Sequence, residues 1–493
     1  MKLLPTLLLG GLLLAAAAAL GADASSAPPS PFRDQAPGVT TAAPDPLWTD
    51  LGDELTAGLA PGARETMPRK YRALRLDYQG LADRLAMAPH EKDVAAADGL
   101  EITLPMPDGT FQRFLVVESP MLAGEAAAQM PDFRTYAAQG LDDPTATLRL
   151  DTSPLGFHAY GRTALGVLWI DPYQRGETSL YLSAWRHDFD APVDGFGCGV
   201  IDGPELPEID GLAAVPSSGN TLYTYRMVLT LTGEYTTYFG GASLAQAFAT
   251  ITLNRVNSIY EADVCVRFIL TAFQTYTNPI SDPFPNGSTI NGTLLDLNQI
   301  TTDTLQGSGN YDIGHILTQG SGGGLAGLGV VCTSSKARGG TGRPLPSGDP
   351  FDVDYVAHEV GHQMGGSHTF NGTTSNCGGG NRSASNAYEP GSGSTIMAYA
   401  GICGAEDLQA NSDPYFHVRS LEQIIARRNA SGCAVTLATG NAAPVANAGP
   451  DRTIPRGTAF YVNGSATDAN GDALTYAWEQ YDLGAASPPT DPF

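Results

Sequence analysis

Apolar positions along the chain change their period several times, and each change marks an element. Tyr223, Tyr225, Met227, Leu229 and Leu231 alternate with Thr224, Arg226 and Thr230, which predicts a strand. Ser243 then caps a predicted helix whose Leu244, Phe248, Ile251, Val256 and Ile259 share one face. The run from Val264 to Ala272 reads as a second strand and about Leu294 to Leu305 as a second helix, with a further strand expected before the next helical run. From Asp349 the pattern turns helical again. An aspartate suited to capping precedes Pro350, a residue at home in a first turn, and Val353, Val356 and Val360 follow at helical spacing. Ser420 to Gln423 has a capping-box pattern for a last helix. Upstream, residues near 50 to 205 mix a short helical part with strand-like runs such as Thr110 to Val117 and Gly166 to Ile170.

The two ends of the 493 residues read differently from the middle. Lys2, an apolar stretch through Leu20 and the Ala22-x-Ala24 site predict a secretory signal peptide over 1–24. No other run approaches the length of a membrane span. An Ala/Pro/Ser-rich lead-in follows to about Pro46, and the chain is again rich in Pro, Gly and Ser between Asp202 and Asn220. The formal charge of −24, from 27 basic and 51 acidic residues, argues against nucleic acid or an anionic membrane as partner. A soluble, exported, monomeric protein is the expectation.

Chemistry concentrates in the predicted helix that begins near Pro350. His358 and His362 stand four residues apart and share a helix face, so both can address one metal ion, with Glu359 beside them to activate a water. Gly365 and Gly366 end the helix, because glycine readily adopts the left-handed conformation of a helix terminus, and the turn returns His368 to the same ion. Three protein ligands with one position left for water are the pattern of a catalytic zinc, here a single ion. His90, His158, His187, His315 and His417 read as solvated or hydrogen-bonded side chains.

His358-Glu-x-x-His362-x-x-Gly365-x-x-His368 resembles the metzincin signature. That resemblance implies an α/β (α+β) catalytic domain with a mixed twisted sheet, which the order of predicted elements suits, and a methionine turn beneath the metal. Met397, in Ser394 to Gly401, is the matching residue, and Tyr399 is similar to the tyrosine that serralysins and astacins place near zinc. Gly324 to Cys332 looks like the upper rim strand of the reprolysin-like branch, with substrate expected to pair along Ala326 to Gly329. Thr369 departs from the aspartate that follows the third histidine in animal members, and Tyr399 departs from their methionine turn. The resemblance is therefore to a divergent, bacterial-looking group. It implies disulfides Cys332–Cys433 and Cys377–Cys403.

The expected organisation is a signal peptide at 1–24, a β-rich propeptide at 25–218, a catalytic domain at 219–440 and a partial domain at 441–493. Six cysteines in an exported chain point to disulfides. Cys265, in a strand-like run, reads as a buried free thiol. Cys198 is expected to bind the zinc in a zymogen, in place of the catalytic water. A Cys198–Cys265 disulfide is the rival, and Asp194 could plug the metal instead. Residues after Gly440 resemble a polycystic-kidney-disease domain, an immunoglobulin-like β-sandwich with Trp478 in its core. Only about 50 of the roughly 80 to 100 residues such a fold needs remain, so the chain is expected to end within it. Asp468, Asn470 and Asp472 have the oxygen spacing of a calcium loop, but the Asn470-Gly471 pair favours a hairpin turn. The activity expected is zinc-dependent hydrolysis of protein or peptide substrates, with Glu359 as general base. An exported adhesion protein on an inactive protease scaffold is the alternative.

Overall fold

The computed structural model describes residues 39–52, 67–95, 98–190, 197–201, 218–285, 287, 289–321, 323–455 and 457–489. The expected signal peptide, most of the lead-in and of the linker at 202–220, and Asp194 lie outside the described residues.

Nine strands form the N-terminal sheet: β1 (Trp48–Asp50), β2 (Arg72–Leu76), β3 (Leu100–Pro105), β4 (Phe111–Glu118), β5 (Arg134–Gly140), β6 (Thr147–Ser153), β7 (Gly156–Thr163), β8 (Gly166–Pro172) and β9 (Leu180–Trp185). Helices α1 (Tyr78–Leu85) and α2 (Gly124–Gln129) interrupt them. All pairings are antiparallel. β3 to β9 run as a meander, and β2 and then β1 close on the β9 side. One face packs Leu104, Phe114, Tyr136, Leu148 and Phe157 with Leu81 and Leu85 of α1. The other face sends Tyr160, Trp169, Leu182 and Ala184 into the main core of the molecule. With both faces covered, β6 is buried at six consecutive positions, so its sequence shows little alternation.

The second sheet begins with β10 (Cys198–Ile201) and continues with β11 (Thr221–Leu231). After α3 (Gly233–Phe239) and α4 (Ala242–Val264) come β12 (Val266–Thr275), α5 (Gly292–Gln306), β13 (Ile313–Thr318), β14 (Gly323–Gly327) and β15 (Gly339–Gly342). Strand order is β10-β14-β15-β13-β11-β12, mixed in direction, because β14 runs antiparallel to β15 and the other neighbours are parallel. Ile313 and Leu317 of β13 face the main core, whereas Ile316 packs with Leu294 and Leu295 of α5 on the opposite face. A last helix, α7 (Val418–Ser431), leads into β16 (Val435–Ala438), which pairs antiparallel with the start of β11.

Three local expectations need correction. α4 is capped by Gly241, not Ser243, and Leu244 is exposed. Most of its circumference is buried because it lies between the N-terminal sheet and the second sheet, which blurs the amphipathic pattern. Cys265 is not within a strand: it is the half-buried, left-handed residue that ends α4. α7 starts two residues before the capping box, with His417 accepting from the Arg419 N–H, while Ser420 is buried inside the helix. After Gly440 the described residues pair only Val445–Asn447 (β17) with Ser465–Thr467 (β18), and no sandwich forms among them. Trp478 is half-buried against Gly464, and Asp468 accepts the backbone N–H groups of Asn470 and Asp472 within a turn.

Asp349 is also diverted from the capping role. Its carboxylate accepts Arg186 Nε at 2.7 Å, and Arg186 Nη2 reaches Asp354 at 2.9 Å, all three side chains being buried. Burial would lower the Arg186 guanidinium, but the two carboxylates outweigh it and raise it, while burial lifts Asp354 to about 6. Nearby, Arg255 joins Asp171 to Asp352 and lies 3.8 Å from the Trp169 ring centroid. These groups fasten the N-terminal sheet to the segment that enters the histidine helix. Replacing Arg186 by Met strands two buried carboxylates, so unfolding in denaturant should lose about 3–5 kcal/mol. A loss below about 1 kcal/mol would show that the contact is dispensable.

Candidate metal centre

The histidine helix has two parts. Pro350–Ala357 is wound as a π-helix, and His358–Gln363 (α6) as an α-helix. The wide turns place the entire segment in the interior, with Phe351, Val353, Val356 and Val360 in the main core. Gly365 takes a positive φ of 99° just past the end of α6 and turns the chain back. His368 therefore meets the other two histidines. The Nε2 atoms of His358 and His362 are 3.0 Å apart, His362 and His368 3.0 Å, and His358 and His368 3.3 Å.

Each ring is held through its other nitrogen. Nδ1 of His358 donates to the Ile396 carbonyl (2.6 Å), that of His362 to Gly366 (2.7 Å) and that of His368 to Asn381 (2.7 Å). These bonds leave the three Nε2 lone pairs pointing at one centre. Burial lowers His358 to about 4 and His368 to about 3, and it holds His362 well below the ordinary imidazole range. Neutral imidazoles are the form that ligates a metal.

The fourth member is Cys198, the first residue of β10. Its Sγ lies 3.5, 3.5 and 3.6 Å from the three Nε2 atoms, and all four side chains are buried. A tetrahedral zinc with bonds of about 2.0–2.1 Å to nitrogen and about 2.3 Å to sulfur sets N···N near 3.3 Å and S···N near 3.6 Å. The donor set thus fits zinc in type, number and spacing. Cys198 and Cys265 are both free thiols. Cys332–Cys433 and Cys377–Cys403 are disulfides, with Cα atoms 5.9 and 5.2 Å apart.

Glu359 lies alongside the cluster with neither carboxylate oxygen hydrogen-bonded to protein, and burial raises its carboxyl well above the usual range. β14 passes so close that a Cβ on Gly324 would fall 2.0 Å from Glu359 Oε1. β14 is also the strand that β10 pairs with, in parallel, Cys198 opposite Gly324 and Ile201 opposite Gly327. The rim expected to receive substrate is therefore lined by this chain's own strand.

Met397 is fully buried beneath α6, so close that a Cβ on Gly361 would lie 2.4 Å from its Sδ. Its carbonyl accepts the Thr369 N–H at 3.1 Å. Tyr399 stacks on Phe370 with centroids 4.4 Å apart, lies 4.7 Å from the His368 ring, and donates to the Cys198 carbonyl at 3.2 Å. Among the other histidines, His315 matters most to the site. It is buried, lowered to about 4 by that burial, and bonds Gln363 of α6 at 2.8 Å and Thr341 at 2.9 Å.

Sequence reading missed Glu389. Its buried carboxylate accepts the Thr369 hydroxyl, the Ser394 and Thr395 N–H groups at 2.8 and 3.1 Å, and the Thr395 hydroxyl at 2.7 Å. It thereby ties the residue after His368 to the methionine turn. The polar Thr369 was the available signal, since a buried hydroxyl there needs a partner.

Residues 221–426 match the family model described as Metallo-peptidase family M12B Reprolysin-like, which implies a metal, typically zinc, and protein substrates. No curated protein matches the chain. Among solved structures, the crystal structure of metalloproteinase-II from Bacteroides fragilis is similar at 10% identity and a TM-score of 0.41, over 71% of this chain and 96% of that one.

Replacing Glu389 by Ala leaves two N–H groups and two hydroxyls without their acceptor, and should lower stability in denaturant by about 3 kcal/mol. Glu389→Gln keeps one acceptor oxygen and should lose less than half as much. Equal losses in the two variants would show that the hydrogen bonds are not the cause.

Proposed function

We propose that the chain is an exported zinc-dependent endopeptidase made as a latent zymogen, with Cys198 as the fourth ligand until β10 is withdrawn. The observation carrying this reading is the convergence of one sulfur and three imidazole nitrogens beside a carboxylate that has no protein hydrogen bond. His358, His362 and His368 would hold a zinc ion, which when bound would supply a Lewis acid for a water and for the scissile carbonyl.

The protein's own groups do the rest. Withdrawal of β10 removes the Cys198 sulfur and frees the edge of β14, along which an extended substrate adds as a strand. The same step frees the Tyr399 hydroxyl from the Cys198 carbonyl, so that it can donate to the substrate carbonyl oxygen as charge develops there. Water attacks the carbonyl carbon and gives a proton to Glu359. As the C–N bond breaks, Glu359 returns that proton to the leaving nitrogen.

Glu359→Gln should retain stoichiometric zinc and lose casein cleavage by about a thousandfold. Retained cleavage would refute the assignment, and chelator-insensitive cleavage in zymography would refute the metal. Cys198→Ala in the full chain loses the sulfur that holds β10 at the metal and should cleave peptides faster than the unprocessed parent. Equal latency in the two would dismiss Cys198 as the latch and leave the hydrolytic reading standing.

A further inference from the structure

The chain returns to the metal centre well after the family-matched residues end. Glu479 accepts the Val418 N–H at 2.6 Å, and the Gln480 carbonyl contacts His417 Nε2 at 3.0 Å. Tyr481 stacks on Tyr388, centroids 4.5 Å apart, and donates to Glu422 at 2.6 Å. These contacts anchor the segment at the start of α7. Beyond them it crosses the loop that holds His368. Arg382 Nη2 donates to the Gly484 carbonyl at 3.1 Å, and Asn371 Nδ2 donates to the Ala485 carbonyl at 3.0 Å and to Ser487 Oγ at 3.4 Å.

The two loop residues so gripped are themselves joined. Arg382 Nε and Nη2 donate to Asn371 Oδ1 at 2.9 and 2.6 Å. Asn371 follows His368 by three residues, and Arg382 directly follows Asn381, whose carbonyl accepts His368 Nδ1. The loop, the arginine and the crossing segment thus contact one another pairwise, next to the carbonyl that holds the third histidine. Among the three histidines, His358 and His362 draw their Nδ1 partners from the methionine turn and the end of their own helix. His368 draws its partner from a separate loop, in which Gly378 to Gly380 lie just before Asn381 and Asn381 itself donates to the Gly378 and Asn376 carbonyls.

We propose that Glu479–Ser487 is a strap whose contacts with Arg382 and Asn371 fix the Asn381 carbonyl, and through it the orientation of His368 and the affinity for zinc. The inference rests on the zinc reading above. Partners that orient a ligating imidazole typically change metal affinity by about 10- to 100-fold when lost. Arg382 and Tyr481 are positioning residues: neither touches the ligand nitrogens.

The test is zinc competition against a chromophoric chelator, on the full chain carrying Arg382→Ala, Arg382→Lys, Tyr481→Ala, or Leu85→Ala as a control. Leu85 is buried in the core of the N-terminal sheet, remote from the metal. The first and third variants should weaken zinc about tenfold, and Arg382→Lys, which keeps the charge but not the fork, should fall between them and the parent. Leu85→Ala should lower the melting temperature and leave zinc affinity as in the parent. Affinities within twofold of the parent for both Arg382→Ala and Tyr481→Ala would overturn the strap. So would an equal loss in Leu85→Ala, which would reduce the effect to general destabilisation. A parent protein that takes up no zinc would overturn the metal reading itself, and with it the strap.

Discussion

Three unprotonated imidazole nitrogens 3.0–3.3 Å apart repel one another, and the rest of the site is arranged around making that repulsion useful. No proton can be shared among them while each Nδ1–H is committed to a carbonyl and burial disfavours a charged ring. The cluster is therefore a cavity for positive charge, built in advance of the ion. Its supports come from separate parts of the chain: the methionine turn for His358, the end of α6 for His362, and the loop before Arg382 for His368. Gln363 and His315 lock α6 to β13 from behind, so the ligands stand on an element that cannot rotate freely.

The N-terminal sheet and the second sheet share one continuous core, in which Trp169 and Tyr160 lie with Leu253, Val353 and Met397. The charged groups between them are not a solvated seam. Arg186, Asp349, Arg255 and Asp352 are buried, and each cation bridges an N-terminal or central element to the segment leading into α6. Buried ion pairs contribute little net stability but penalise any arrangement that leaves one member alone. Such groups define how the N-terminal sheet sits on the segment that leads into α6.

How much of this could be read from the sequence depended on whether the cause was local. The strand from Thr221, the long helix after it, the helix near Leu294, the bend at Gly365 and the histidine spacing follow from short-range geometry and appear where expected. In contrast, α3, β15 and β16 were not foreseen, and the strand expected over Gly324 to Cys332 ends at Gly327. Cap residues were misassigned where a distant partner competed: Asp349 is taken by Arg186, 163 residues away, and α7 is capped by His417, which packs against the Glu479 segment. Glu389 and Arg382 left little trace because their partners are backbone groups and single polar atoms, which have no spacing rule. The sandwich expected after Gly440 rested on resemblance and composition, and the described residues there make one two-stranded pair and then turn back onto the catalytic half.

β10 has a second consequence, which concerns solubility rather than chemistry. It covers the outer edge of β14, a strand whose backbone donors and acceptors would otherwise face solvent unpaired. Uncovered, such an edge is a template on which any extended chain, including another copy of the same protein, can polymerise. β14 is only five residues long and carries three glycines, two features that limit how firmly a stray strand could hold to it. The edge is thus short, weakly adhesive and covered by the protein's own chain.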